Sequence, residues 1–176
     1  GRAPCVMSFD TDQMSAMEDV YELTQGTNAS YPGVTVDVIS LNMSLGGSRS
    51  YDHCDVEEAA RKILIDQLKG VGVATVISAG NSGYTDSTGY PGCISTAFTV
   101  SATYDNSDTI ASFSNAAPDI TDVWAPGVGI ISSIPTASGA GTNPTESYNG
   151  TSMSAPIVAG GFAILKEAYP TYTIDE

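Results

Sequence analysis

A serine lies in the segment Gly150-Thr151-Ser152-Met153-Ser154-Ala155-Pro156, and an apolar run from Ile157 to Leu165 follows at once. We expect Ser152 to sit at a turn that opens a helix. A helix N-terminus directs backbone N–H groups and a partial positive charge at such a residue, which suits a nucleophile whose reaction develops an oxyanion. The segment alone favours the alternative, a Ser or Thr N-cap on an ordinary core helix.

An asparagine follows the run Val73–Ala79, whose apolar and β-branched residues have the length of a buried strand. The run ends in the turn cluster Gly80-Asn81-Ser82-Gly83. At the carboxyl end of a buried strand, the Asn81 amide is well placed to donate a hydrogen bond to a ligand oxygen. The alternative is a plain turn asparagine, a residue that tolerates such backbone conformations.

The remaining elements indicate how these two residues could be brought together. A further buried strand, Asp37 to Leu45, ends in Gly46 and Gly47, although a core strand with a glycine turn has the same pattern. Apolar periodicity predicts helices over residues 12–25 and 55–69. In the second helix, Asp55 and Glu58 resemble a capping box, with inward residues Ala59, Ala60, Ile63, Leu64 and Leu68.

The order of elements predicts the fold class. A strand is predicted at Phe98–Ala102, short strands near Val123 and Ile130, and a loop from Thr136 to Asn149 before the last helix. Alternating strands and helices predict an α/β fold with a mainly parallel sheet and helices on both faces. Ligands bind such sheets at the carboxyl ends of the strands. Asn81 and the end of the Asp37–Leu45 strand are both expected there.

Taken together, the motifs resemble those of the subtilisin-like serine peptidases. They occur in that family's order over nearly the whole chain: Asn42-Met43-Ser44-Leu45-Gly46-Gly47, Ala79-Gly80-Asn81, Phe113-Ser114-Asn115, Ala125-Pro126-Gly127 and the segment around Ser152. The resemblance implies a serine endopeptidase that forms an acyl-enzyme on Ser152. It also implies that Asn81 supplies the side-chain donor of an oxyanion hole.

The resemblance further implies where a substrate binds. Ser44, Leu45 and Gly46 match the strand that pairs with an extended peptide or protein substrate. Ser78, Ala79 and Gly80 would wall the pocket for the residue before the scissile bond, and Gly89 would lie at its bottom. A glycine there leaves room, so we expect tolerance of large apolar or aromatic side chains.

The base and its orienting carboxylate are not recognisable in this sequence. The family's Asp and His motifs should precede Ser44, but neither is present, and the chain's one histidine, His53, follows it. We expect His53 in a solvated loop, and Asp10 and Asp12 are no better as the orienting Asp, since Asp12 suits a helix N-cap.

Residues 1–176 are therefore expected to be the C-terminal portion of a peptidase domain, without its Asp- and His-bearing N-terminal part and inactive in isolation. A fragment, one chain of a processed enzyme and a relative that lost its triad all remain open. A non-catalytic peptide-binding or structural relative is the rival function. A lipase or esterase is a weaker rival, because Ser154 stands where its Gly-x-Ser-x-Gly motif needs glycine.

The composition argues against two classes of function, nucleic-acid binding and membrane spanning. The net charge is −14, from 20 acidic and 6 basic residues, which argues against a nucleic-acid partner. No stretch of about 18 apolar residues is present to span a membrane. The excess of acidic residues fits a secreted protein that stays soluble, and it is compatible with binding of divalent cations.

Cysteines and one aspartate add two expectations through the resemblance. Cys54 and Cys93 match positions that are paired in some secreted relatives, and such a bridge would place the protein outside the cytosol; two free thiols are the alternative. Cys5 is left over, either free or paired elsewhere.

Several family members bind structural calcium through an Asp matching Asp122 and carbonyls of the segment 92–94, although no cofactor is expected for catalysis.

Overall fold

The computed structural model describes residues 7–134 and 144–176, so Cys5 and much of the predicted 136–149 loop lie outside the described residues. Three helices are present in that part of the chain: α1 (Asp10–Gln25), α2 (Ala59–Gly70) and α3 (Thr151–Ala168). The strands are β1 (Ser40–Met43), β2 (Arg49–Ser50), β3 (Ala74–Ser78), β4 (Thr88–Gly89), β5 (Phe98–Thr103), β6 (Val123–Pro126), β7 (Ile130–Ser133) and β8 (Thr145–Tyr148).

A four-stranded parallel sheet in the order β1-β3-β5-β6 forms the centre of the molecule. Every residue of β3 is buried, as its continuous apolar run indicates. Successive side chains serve opposite faces: Ile77 packs with residues of α1 and α2, whereas Val76 packs with α3. The predicted α/β fold with a parallel sheet and helices on both faces is confirmed.

Helix α3 carries the predicted nucleophile and packs across all four strands of the sheet. Its small residues Ala155 and Ala159 are buried against Val100, and Phe162 meets Phe98 edge-on with ring centroids 4.7 Å apart. The close packing of small residues holds the N-terminal turn of α3 at the carboxyl ends of the strands.

Several predicted boundaries differ from the structure. Only residues 40–43 of the predicted 37–45 strand form β1, and the predicted 136–149 loop contains strand β8. Helix α1 begins at Asp10 after Phe9, so Asp12 lies inside the helix and is not its N-cap. Its predicted end at Gly26 is confirmed, because that glycine has a left-handed conformation with φ 67° and bonds back to α1.

The predicted capping pair of α2 is wrong. Helix α2 begins at Ala59, and Glu58 makes no side-chain capping bond. Asp55 instead accepts hydrogen bonds from the backbone N–H and hydroxyl of Ser95, at 2.9 and 2.7 Å. Desolvation by itself raises the pKa of Asp55, but these two bonds, together with the charges of Lys62 and His53, hold the pKa below its ordinary value.

The inward face of α2 also differs from the prediction. Leu64 and Leu68 are buried, but Ala59 and Ala60 are exposed and Ile63 is 58% exposed. Arg61 takes an interior position instead, where Glu58, Asp10 and Gln13 accept its guanidinium hydrogen bonds. Within the described residues, no helix is both long enough and apolar enough to cross a lipid bilayer.

Candidate active site

Ser152 is the second residue of α3 and is partly buried. Gly150 precedes the helix, and its carbonyl accepts a hydrogen bond from the Met153 N–H at 3.0 Å. The Ser152 N–H makes no hydrogen bond to any residue that the structure describes. One unpaired backbone donor at the positive end of a helix therefore lies at the serine itself.

The Asn81 amide is fixed in one orientation. Its Oδ1 accepts hydrogen bonds from the Thr151 backbone N–H at 2.8 Å and from the Thr151 hydroxyl at 3.0 Å. A backbone N–H can only donate, so the atom that faces it must be the carbonyl oxygen of the amide. The Asn81 Nδ2 group consequently faces away from Thr151 and donates to none of the described residues, and Asn81 lines the same cavity as Ser152.

A second asparagine holds the loop that carries Asn81. Asn115 is buried; its Oδ1 accepts from the N–H groups of Ser82 and Tyr84, at 3.0 and 3.2 Å, and its Nδ2 donates to the Ala79 carbonyl at 2.9 Å. A side chain on Gly80, which has φ +104°, would overlap the Asn115 amide. The motifs Ala79-Gly80-Asn81 and Phe113-Ser114-Asn115 are thus two halves of one hydrogen-bonded unit.

The segment after β1 contacts the serine turn directly. The Ser44 hydroxyl donates to the Ser152 carbonyl at 2.9 Å, and the Ser78 hydroxyl donates to the Leu45 carbonyl at 2.9 Å. These bonds place the predicted substrate-pairing segment, Ser44 to Gly46, alongside both Ser152 and the end of β3.

A cavity of about 460 Å³ lies between these elements. Its lining includes the following predicted site residues: Leu45, Gly46, Ser78, Gly80, Asn81, Gly89 and Ser152. Ser44 and Ala79 are not part of the lining; Ala79 instead accepts the Gly89 N–H through its carbonyl, at 2.8 Å. Arg49, Tyr84 and Asn115 line the cavity as well, and sequence reasoning missed their contribution.

The Ala125-Pro126-Gly127 motif is hydrogen-bonded to the turn that carries Ser152. The Ser154 hydroxyl donates to the Ala125 carbonyl at 3.0 Å, and the Gly150 N–H donates to the Gly127 carbonyl at 2.8 Å. A Cβ on Gly127 would collide with Ala102 and with the Gly150 carbonyl, so this close approach requires glycine.

The disulfide and the histidine lie together. The structure contains the Cys54–Cys93 disulfide. His53 is exposed, as expected, and its Nδ1 lies 3.1 Å from the Cys93 carbonyl oxygen. His53 is not among the residues that line the cavity at Ser152, so the described part of the chain places no imidazole there.

Asp122 lies at the start of β6, away from the serine. Its Oδ2 accepts the Thr99 N–H at 2.7 Å, and the Thr99 hydroxyl donates to the Gly92 carbonyl. Desolvation raises the pKa of Asp122 against the opposing effect of the Thr99 bond. No group of three or more acidic, histidine or cysteine side chains is arranged for a metal within residues 7–134 and 144–176.

Comparisons with known proteins agree with this arrangement. A family model described as "Subtilase family" matches residues 9–176. Subtilisin E of Bacillus subtilis is 39% identical over 136 residues, which are 76% of this chain and 32% of that protein. A cuticle-degrading serine protease of Arthrobotrys oligospora is 36% identical over 138 residues, covering 78% of this chain and 30% of that protein.

The solved structures show the same relationship. A protease structure from Pseudoalteromonas arctica superposes with a TM-score of 0.73 and 26% identity, covering 93% of this chain and 49% of that one. The chain spans less than half the length of the curated relatives it matches. On the family match and the shared fold, the chain belongs to the subtilase family.

Proposed function

We propose that this protein is a serine endopeptidase in which Ser152 attacks the carbonyl carbon of a peptide bond and forms an acyl-enzyme. The carbonyl oxygen becomes negatively charged as the bond to Ser152 Oγ forms. The Ser152 N–H and the Asn81 amide are the donors that stabilise this charge. The observation that carries the proposal is the orientation of Asn81, whose oxygen is held by Thr151 while its donors stay free.

The serine proton must pass to a base that the described residues do not place at Ser152. We propose that a histidine and an aspartate from further residues of the same protein complete the site. A serine without a neighbouring base has an unactivated hydroxyl. The isolated 176-residue chain is therefore expected to be inactive.

The substrate is proposed to be an extended peptide that pairs with residues 44–46. Leu45 and Gly46 line the cavity that contains Ser152, so a peptide lying along them would present a carbonyl to the serine. Backbone hydrogen bonds along such a strand provide affinity without demanding a particular sequence.

The remainder of the protein is proposed to cover the open side of the sheet. β1 is an edge strand that pairs with β3 alone among the described strands. On α3, the apolar residues Ile157, Ile164 and Leu165 are 44%, 70% and 56% exposed. Additional chain packed here would satisfy the strand edge and bury these side chains.

Secretion is proposed on the strength of the Cys54–Cys93 disulfide, because such bonds persist mainly in oxidising compartments.

A labelling experiment distinguishes the proposed peptidase from a non-catalytic relative. Labelling with a fluorophosphonate, which reacts with activated serines, should modify the longer protein that contains this chain and leave the isolated chain unmodified. Equal failure of both proteins to react would favour a non-catalytic peptide-binding relative.

A structural calcium ion is proposed at Asp122. Asp122 is exposed to solvent and has no ion-pair partner among the described residues. Thr99 connects its carboxylate to the Gly92 carbonyl, because the Thr99 N–H donates to Asp122 and the Thr99 hydroxyl donates to Gly92. These oxygens suit a hard cation but fall short of the six to eight ligands that calcium takes, so water would supply the others.

Calcium is expected to raise the thermal unfolding midpoint of the longer protein relative to the same protein in a chelator. At about 100 times its dissociation constant, one bound ion adds about 2.7 kcal/mol to the free energy of unfolding. Asp122→Asn is the matched control, since Asn keeps the acceptor for Thr99 and loses the charge. An identical calcium response in this variant would place the ion elsewhere.

A further inference from the structure

The cavity at Ser152 carries one charged side chain. Among the described residues that line it, Arg49 is the only one with a formal charge at neutral pH, and no Asp or Glu is present. Ser152 and Asn81 belong to the same lining. Under the proposed function, the side chain of the residue whose carbonyl Ser152 attacks would therefore enter a space that is lined by Arg49 and by Tyr84, over whose ring the Arg49 guanidinium lies.

The guanidinium of Arg49 is held in place from several directions. It lies over the ring of Tyr84 at 3.8 Å and over the ring of Tyr51 at 4.4 Å, measured to the ring centroids. Its Nε donates to the Ser87 hydroxyl at 2.7 Å, and its Nη2 donates to Asp86 at 2.6 Å. A planar cation stacked and hydrogen-bonded in this way is preorganised, so little additional freedom is lost when a ligand binds it.

Arg49 keeps donors for a ligand. Arginine has five N–H donors, and the bonds to Ser87 and Asp86 use two of them. A third of its side-chain surface remains exposed. Asp86, the carboxylate that partly balances its charge, is 60% exposed and does not line the cavity. The cation of this ion pair consequently belongs to the cavity lining, and its carboxylate does not.

We propose that Arg49 makes this cavity selective for an acidic side chain, glutamate or aspartate, at the substrate residue whose carbonyl Ser152 attacks. The proposal rests on the proposed function for the position of the peptide. Gly89 gives the cavity its room, and Arg49 adds a charge that favours a carboxylate over a neutral side chain of the same size. Charge-assisted hydrogen bonds between guanidinium and carboxylate are stronger than neutral ones.

The test compares peptides that differ only in Glu or Gln at that residue, a pair with the same shape. Hydrolysis is measured with the longer protein, and binding of the same peptides is measured calorimetrically with its Ser152→Ala variant, which needs no working triad. The expected Glu-to-Gln ratio is about tenfold in kcat/KM and in affinity, corresponding to about 1.4 kcal/mol. Since the net charge of −14 on these 176 residues opposes acidic ligands at long range, both are measured at about 0.15 M salt, where the Debye length is about 8 Å.

Variants separate a specificity role from a structural one. Arg49→Met should bring the Glu-to-Gln ratio close to one, and Arg49→Lys should retain part of the preference through its charge. Asp86→Asn should raise the ratio, because it removes the competing carboxylate. Lys62→Met removes one positive charge from an exposed ion pair with Asp66 on α2, and it should leave the ratio unchanged.

Binding of a Leu peptide and the unfolding midpoint establish that each variant is folded. Equal kcat/KM and equal affinity of the wild-type protein for the Glu and Gln peptides would overturn the role of Arg49. An unchanged Glu-to-Gln ratio in folded Arg49→Met would do the same, and either result would leave the peptidase proposal intact. A Glu preference in binding that Arg49→Met abolishes would support it even if no hydrolysis occurs, in which case the peptidase proposal alone fails.

Discussion

Replacing Asn81 with alanine is expected to lower kcat of the longer protein about 100- to 1,000-fold; that magnitude is the loss measured for removing such a donor from a subtilisin. KM is expected to change little. The Asn81 amide donates to an oxygen whose negative charge is full only in the transition state, so its removal affects the chemical step more than substrate binding. Steady-state kinetics on a chromogenic peptide checks both values.

Two further variants isolate the donor from the scaffold. Asn81→Asp keeps the acceptor for Thr151 but replaces the donor with a negative charge, so its kcat should be at least as low as that of the alanine variant. Thr151→Val removes the hydroxyl that donates to Asn81 and accepts from the Gly80 N–H, but it keeps the backbone N–H that donates to Asn81, so we expect a smaller loss, about tenfold. A raised KM with unchanged kcat in Asn81→Ala would contradict the oxyanion role.

Replacing Asn115 with alanine is expected to lower the free energy of unfolding by about 2–4 kcal/mol, because Asn115 is buried and makes three side-chain hydrogen bonds that contribute about 0.5–1.5 kcal/mol each. The substitution leaves the N–H groups of Ser82 and Tyr84 without their acceptor and removes one donor to Ala79. Ala79 keeps the Gly89 N–H, which limits the loss at that carbonyl.

Urea unfolding in a Ser152→Ala background, which prevents self-digestion, measures the effect of Asn115→Ala. Gln67→Ala is a control with the same type of side chain, since Gln67 is an exposed amide on α2, away from β1 and Ser152. The control should change the free energy of unfolding by less than about 0.5 kcal/mol. Equal effects of the two substitutions would mean that the Asn115 network does not hold the Asn81 loop.

Local patterns predicted much of the fold. The uninterrupted apolar run of β3 indicates a strand covered on both faces, and the structure places Val76 and Ile77 on opposite sides of it. The turn before Ser152 predicted a helix start, and α3 begins at Thr151. These features depend on periodicity and on turn residues within a few positions of one another.

Interactions between distant residues were not predictable in the same way. Asp55 has capping-box spacing to Glu58, yet Ser95, forty residues further along, binds it instead. Ile63 matches the apolar period of α2, but Arg61 takes the interior position because Asp10 of α1 and Glu58 pair with it. The predicted helix over residues 55–69 contains Asp55 and Arg61 but neither Ser95 nor Asp10, so its own pattern could not show these contacts.

In the candidate site, too, local motifs were predictable and contacts between distant residues were not. Ser152, Asn81 and the Cys54–Cys93 pairing were named from short motifs through the family resemblance. The orientation of Asn81 depends on Thr151, seventy residues away, and the position of Arg49 depends on Tyr84, Asp86 and Ser87. These contacts exist only once the parallel sheet has brought the loops at its carboxyl edge together.

Covalent labelling tests the central claim most directly. The longer protein is treated with a fluorophosphonate and digested, and the modified peptide is identified by mass, with Ser152→Ala and the isolated chain treated in parallel. We expect one adduct, on Ser152, that is absent from both comparison proteins. A correctly folded longer protein that carries no adduct on Ser152 would contradict it, and the groove at residues 44–46 would then belong to a non-catalytic peptide-binding protein.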